Sequence, residues 1–140
     1  MSAPDALPPL PLATIAGFHA HVYFDGEPER GEAMTLRMQI GERFAVTLGT
    51  VREGPVGPHT RAMYQVAFET ALFGALVPWL MLNRRGLSVL VHPNTRDERA
   101  DHVTHALWLG APLPIDPAAL RDEVEAERTP PPNTVPASNP

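Results

Sequence analysis

The chain has 140 residues, 44% of them hydrophobic, which suffices for one hydrophobic core and is too little for two ordinary ones. It contains no cysteine, which excludes disulfides, thiolate metal sites and a cysteine nucleophile, leaves only nitrogen and oxygen ligands for any metal, and fits a cytoplasmic protein. The formal charge of −5 arises largely near the C-terminus, where Asp116, Asp122, Glu123, Glu125 and Glu127 outnumber Arg121 and Arg128, so the nearly neutral body predicts no nucleic-acid partner.

Residues 1–15 form a proline-rich, extended arm without the basic and then apolar pattern of a secretory signal. Next comes a strongly strand-like run, residues 17–26 (GFHAHVYFDG). Alternation puts Phe18, Ala20, Val22 and Phe24 on one face and His19, His21 and Tyr23 on the other. Strand Cα atoms two positions apart are about 6.5 Å apart, so two such imidazoles can converge on one ion. The same spacing also suits a solvated strand face.

Asp25-Gly26 makes a turn, and Pro28 suits the first turn of a helix over residues 29–40, where Ala33, Leu36 and Ile40 recur at helical spacing and Gly41 is the expected stop. A strand is predicted over 44–51, a Gly/Pro-rich hairpin or flap over 52–58, and an alternating strand over 59–69 with Tyr64, Val66 and Phe68 on one face. Residues 70–83 read as a helix apolar almost all round, with a kink at Pro78, and with Arg84, Arg85 and Gly86 at its end. The block from 71 to 82 is too short to span a bilayer, so no membrane partner is expected. A buried strand over 87–91 leads into His92-Pro93.

Strand, helix, strand, strand, helix, strand is the ferredoxin-like split βαβ order of an α+β fold: a four-stranded antiparallel sheet with both helices on one face. The other face is left open, which predicts a bound ligand or a second subunit, hence a homodimer. The domain is placed at 16–116. Residues 94–101 read as a charged loop and 106–109 as an added edge strand. Asp116-Pro117 starts a C-terminal helix, 117–128, and the tail 129–140 is expected to be disordered.

In this sheet the first strand is central, which puts His19 beside His92, and His92 shares the open face with His19 and His21. Three imidazoles on one patch form a plausible nitrogen site. His59 begins the third strand several residues away and reaches them only through a bulge or a folded-back loop at 54–58; otherwise it is an outer supporting or acid–base group, or a surface residue. His102 and His105 are spaced to share a helical face, and His105, just before the apolar run, is the better placed to reach the site. Arg61, on the open face by alternation, is a candidate for a substrate carboxylate.

These same stretches resemble the DOPA 4,5-dioxygenase family, known from fungal pigment biosynthesis with many short bacterial relatives. The resemblance runs through FHAHVYF (18–24), GPH with AMYQVAF (57–59, 62–68), VPWLMLNR with GLSVLVHPNT (77–84, 86–95), and DH with HALWLG (101–102, 105–110). It implies a ferredoxin-like fold and extradiol ring opening of a catechol such as DOPA with dioxygen. The implied cofactor is a non-haem ferrous ion, with Zn(II) or Cu(II) as alternatives for an all-nitrogen site. Mapped onto this chain, His19, His21 and His92 are the metal ligands and His59 or His105 the proton donor or acceptor; the strand faces add Arg61, Tyr23 and Gln65 as candidate substrate-binding residues. The chain departs from the pattern at Thr60-Arg61, where the family usually continues with proline. No carboxylate stands among the histidines, so Asp25 or Asp101 would supply one. The alternative is a non-catalytic, dimeric ferredoxin-like module that binds a small ligand on the open face.

Overall fold

Residues 6–140 are described in a computed structural model of the chain, and the first five residues of the proline-rich arm lie outside it. The alternation of residues 18–24 is realised in β1 (Phe18–Tyr23), the middle strand of a five-stranded sheet. Its partners are β3 (Met63–Phe68) and β4 (Val89–Pro93), both antiparallel, while β2 (Thr47–Leu48) and β5 (Leu107–Leu109) form the edges. The order β2-β3-β1-β4-β5 is the expected ferredoxin-like sheet with one added strand. Register sets His19 opposite His92 on β4 and Ala67 on β3, and His21 opposite Leu90 and Gln65.

Both main helices, α1 (Glu29–Arg43) and α2 (Phe73–Asn83), cover one face. Ala33, Leu36 and Ile40 of α1 and Leu76, Val77 and Leu80 of α2 close over Ala20, Val22, Tyr64, Val66, Phe68, Val89 and Val91 in one buried cluster. Tyr64 donates its hydroxyl hydrogen to the Ala33 carbonyl at 2.8 Å, which fixes α1 to the sheet. Gly41 does not stop α1. It lets Leu48 and Thr134 pack close, since a Cβ there would lie 3.4 Å and 3.3 Å from their methyl carbons. A 3-10 turn (Thr70–Leu72) precedes α2, and Pro78 lies inside a helix that continues to Asn83.

The second strand is shorter than expected. Gly49 still donates its amide hydrogen to the Gln65 carbonyl, at 2.8 Å, and the chain returns to the ladder only at Arg52, which exchanges backbone bonds of 2.8 Å and 3.0 Å with Met63. His59 is not part of β3; it sits in a tight turn in which Val56 and His59 exchange backbone hydrogen bonds of 3.2 Å and 3.0 Å. Gly57, at φ +54°, supplies the left-handed residue that this turn requires.

The second face of the sheet is covered by the chain itself. Tyr23, Met63 and Leu90 are buried beneath Ala106, Trp108, Leu113 and Ile115. The segment read as a charged loop contains α3 (Glu98–His102), N-capped by the Asp97 carboxylate on the Ala100 amide. The bare face that predicted a second subunit is therefore absent here, and that reason for a dimer falls away.

Two expectations about the C-terminus are overturned. Residues 117–128 form only a 3-10 turn (Pro117–Ala119) and then run extended, because the Arg121 carbonyl and the Val124 amide bond instead to Arg99 and Arg96. With Leu120 and Val124 its only large apolar residues, this segment has no stripe to bury as a helix. Nor is the tail free: Asn133 bonds the amide and carbonyl of Leu48 at 2.8 Å and 2.9 Å, and Thr134 bonds Val46 and Phe44. The tail thereby satisfies the outer edge of β2. Among the described residues no helix is long and apolar enough to cross a membrane.

Candidate metal centre

Alternation on β1 sends His19 and His21 away from the helices, and the β1–β4 register brings His92 beside them. The turn at 56–59 folds back so that the His59 ring lies 4.2 Å from that of His21, the arrangement a regular third strand would not allow. From α3, the His102 ring comes to 4.0 Å from that of His92. All five imidazoles are buried. They contain two sets whose nitrogens lie within 4.8 Å of one another, His19/His21/His92 and His21/His59/His102, with His21 common to both.

Hydrogen bonds decide which nitrogens are free. A carbonyl only accepts, so His92 donates from Nδ1 to Pro93 O at 2.8 Å and His102 donates from Nδ1 to Glu98 O at 2.9 Å. Each neutral ring then keeps its lone pair on Nε2. The Nε2 atoms of His21 and His92 are 3.1 Å apart, a spacing that suits two nitrogens sharing one ion at about 2.1 Å. His21 Nδ1 is buried with no partner, the kind of orphan that native interiors rarely leave.

Charge points the same way. Burial, followed by the neighbouring imidazoles, holds His21 and His92 well below the usual histidine range. Burial also lowers His102, and it lowers His59 to about 4, with His102 and His19 adding to the effect there. The rings are neutral at neutral pH, which is the form that binds metal. Clustered nitrogens, fixed tautomers and neutral rings together fit a nitrogen-bound transition-metal ion.

Of the other residues singled out in the sequence, Tyr23 reaches the cluster: its hydroxyl lies 2.7 Å from His59 Nδ1, and burial raises its pKa, so it keeps its hydrogen. Gln65 and His59 line one cleft of about 270 Å³ together with Arg52, Thr50, Pro58 and Met63. Arg61 lies elsewhere, in a cleft with Asp25, Arg30 and Glu53 that contains no histidine, because the chain turns before β3 begins. His105 is exposed and faces an apolar cavity with Leu12, Phe73 and Leu107; His102 occupies the place expected of it. That exchange was legible in principle, since Asp97 three residues before Ala100 is an N-cap that starts α3 and turns His102 inward.

Neither expected carboxylate is at the cluster. Asp25 is exposed, and both oxygens of buried Asp101 bond Thr95, at 2.8 Å and 2.6 Å. Among the described residues, the carboxylate that approaches a cluster histidine is Glu127, whose Oε1 is 3.6 Å from His19 Nε2. Nothing in the sequence pattern marked it.

The sequence of residues 18–119 matches the model of the Dopa 4,5-dioxygenase family. The chain belongs to the Dopa 4,5-dioxygenase family. A DOPA 4,5-dioxygenase of Amanita muscaria is 35% identical over 114 residues, 76% of this chain and 50% of that protein. An uncharacterized 21.2 kDa protein of Botryotinia fuckeliana is 39% identical over 119 residues, 77% of this chain and 65% of that one. The chain thus spans between half and two thirds of the length of these fungal relatives. A crystal structure described as "a putative dioxygenase", from Nostoc punctiforme, superimposes with a TM-score of 0.77 at 50% identity, covering 79% of this chain and 96% of that one. The family, the Amanita muscaria relative and the structural neighbour all carry the name of a dioxygenase. As a Dopa 4,5-dioxygenase family member the chain carries all five buried histidines inside the matched region, whereas Glu127 lies beyond it.

Proposed function

We propose that the chain opens the aromatic ring of a catechol such as DOPA with dioxygen, using an ion held by His19, His21 and His92. The observation that carries this reading is the buried cluster of imidazoles in which the nitrogens of His19, His21 and His92 lie within 4.8 Å of one another. These three ligands stand on the central strand and a strand paired with it, a more precise support than a loop. A ferrous ion there would supply Lewis acidity and redox chemistry that organise catechol and dioxygen and stabilise developing negative charge. Zn(II) and Cu(II) suit the same nitrogen-rich donors and compete for them.

The remaining groups then have distinct tasks. His59 is the one cluster histidine that lines the cleft of Arg52 and Gln65, which makes that cleft the approach we assign to the catechol. Tyr23 is buried and its hydroxyl donates to His59 Nδ1, which leaves the neutral ring's hydrogen on Nε2. His59 serves as a hydrogen-bond donor to a substrate oxygen, a role that needs no charged imidazole. Arg52, on the cleft wall, takes the carboxylate-binding part expected of Arg61.

Protein loaded anaerobically with ferrous ion and then exposed to air is expected to consume oxygen with DOPA or a related catechol and give a yellow, ring-opened product. No oxygen uptake across a panel of catechols rejects the reading.

A further inference from the structure

Imidazoles bind a metal ion in their neutral form, so an ion held by His19, His21 and His92 alone would have no counter-charge. Glu127 stands where that charge is needed, with Oε1 3.6 Å from His19 Nε2. We propose that Glu127 is a positioning residue for the metal centre: its carboxylate keeps the His19 hydrogen on Nε2 and holds that ring in place for the ion. The inference rests on the metal reading above and adds a residue from outside the family-matched segment.

The placement is built into the fold from both sides of Glu127. Upstream, the Val124 amide donates to Arg96 O at 2.8 Å. Downstream, Thr129 donates its hydroxyl hydrogen to Phe68 O at 3.2 Å, and Phe68 pairs with Phe18, the neighbour of His19. Gly17 opens the seat for Thr129, because a Cβ at that position would come within 2.3 Å of Thr129 Oγ1. Other acidic residues of this segment have different partners: Asp122 pairs with Arg99 at 2.7 Å and Glu123 with Arg96 at 3.5 Å. Glu127 alone of them is directed at the histidines.

Stability does not explain the contact. The Glu127 side chain is 62% exposed, and a pair so exposed contributes little to folding. Its effect falls on the imidazole, where a carboxylate partner fixes orientation and tautomer and raises ligand basicity. At 3.6 Å the approach is longer than a fully formed hydrogen bond, so the carboxylate acts on the ring mainly through its charge.

The test compares wild type, Glu127→Gln and, as a control, Glu125→Gln, whose exposed side chain lies away from the cluster. Zn(II) affinity is measured by competition with a chromophoric chelator, the Co(II) absorption spectrum is recorded, and the His19 ring nitrogens are followed by NMR in metal-free protein. Expected for Glu127→Gln are about 10–100-fold weaker Zn(II) binding, an altered Co(II) spectrum and a His19 hydrogen redistributed between Nδ1 and Nε2. Its unfolding midpoint should be unchanged, and Glu125→Gln should match wild type throughout. Equal affinity and an unchanged His19 signal in Glu127→Gln overturn the role of Glu127 while the metal reading stands. Failure of wild type to take up either ion overturns the metal reading itself.

Discussion

Tyr23 and His59, 36 residues apart in sequence, meet through a 2.7 Å hydrogen bond inside the site, and this bond ties the turn at 56–59 to the central strand. Tyr23→Phe removes the hydroxyl and leaves His59 Nδ1 buried without a partner. The loss is expected to cost about 1–3 kcal/mol of stability, read from urea denaturation. Because neither residue is among the three proposed ligands, Zn(II) content should be unchanged while catechol turnover falls. Loss of metal from Tyr23→Phe would instead place His59 in the coordination sphere.

His21 is common to both candidate ligand sets, whereas His105 faces an unrelated apolar cavity. His21→Ala is expected to weaken Zn(II) binding by more than about 100-fold, beyond what loss of an outer-shell partner produces. It should also abolish any chelator-dependent shift in melting temperature. His105→Ala should retain wild-type affinity and turnover. A His105→Ala variant that loses turnover would show that the exposed ring reaches substrate.

Why was the sheet legible in the sequence and half of the site not? A strand of period two, read from Phe18 to Phe24, fixes both the buried face and the direction of His19 and His21, and pairing it with β4 fixes His92. These are consequences of local alternation. His59 depends on a turn whose geometry is set by Gly57 and by the backbone pairing of His59 with Ile115, a contact across 56 positions that no local pattern encodes. Alternation puts Arg61 on the open face only if β3 extends backward past Met63, where it in fact starts. Gly41 has the composition of a helix stop, but its missing side chain serves packing against Leu48 and Thr134. The C-terminal segment shows the same limit: its composition is that of a solvated tail, and its order comes from sheet-edge and loop backbone groups elsewhere in the chain.

Acid should destabilise the protein through the same histidines. In the fold His21, His59, His92 and His102 titrate below the usual value near 6.5, His59 at about 4, because burial disfavours the charged ring. The unfolded chain regains the ordinary value and binds more protons below it. Stability is therefore fully present above pH 6.5 and is lost as pH falls from about 6.5 toward 4. The slope is at most about 1.4 kcal/mol per pH unit for each histidine involved. Urea midpoints at pH 7.5, 6 and 5 should fall in that order, and His59→Gln should give a shallower fall. A flat profile across this window would mean that the rings are solvated.

Gly17 and Thr129 give a test of how the C-terminal segment is seated over the site. Gly17→Ala places a methyl group where Thr129 Oγ1 now lies, 2.3 Å from the new carbon, so Thr129 must leave its bond to Phe68. The sheet keeps its other contacts, and the global unfolding midpoint should change little. Locally, the segment joins the low-stability part of the molecule. Trypsin should then cut after the exposed Arg128 faster in Gly17→Ala than in wild type under native conditions. Thr129→Ala with Gly17 kept removes the hydroxyl bond to Phe68 without any collision and should raise cleavage to a similar degree. Equal cleavage of wild type and Gly17→Ala would show that Thr129 does not anchor the segment, and that the approach of Glu127 to His19 needs another support.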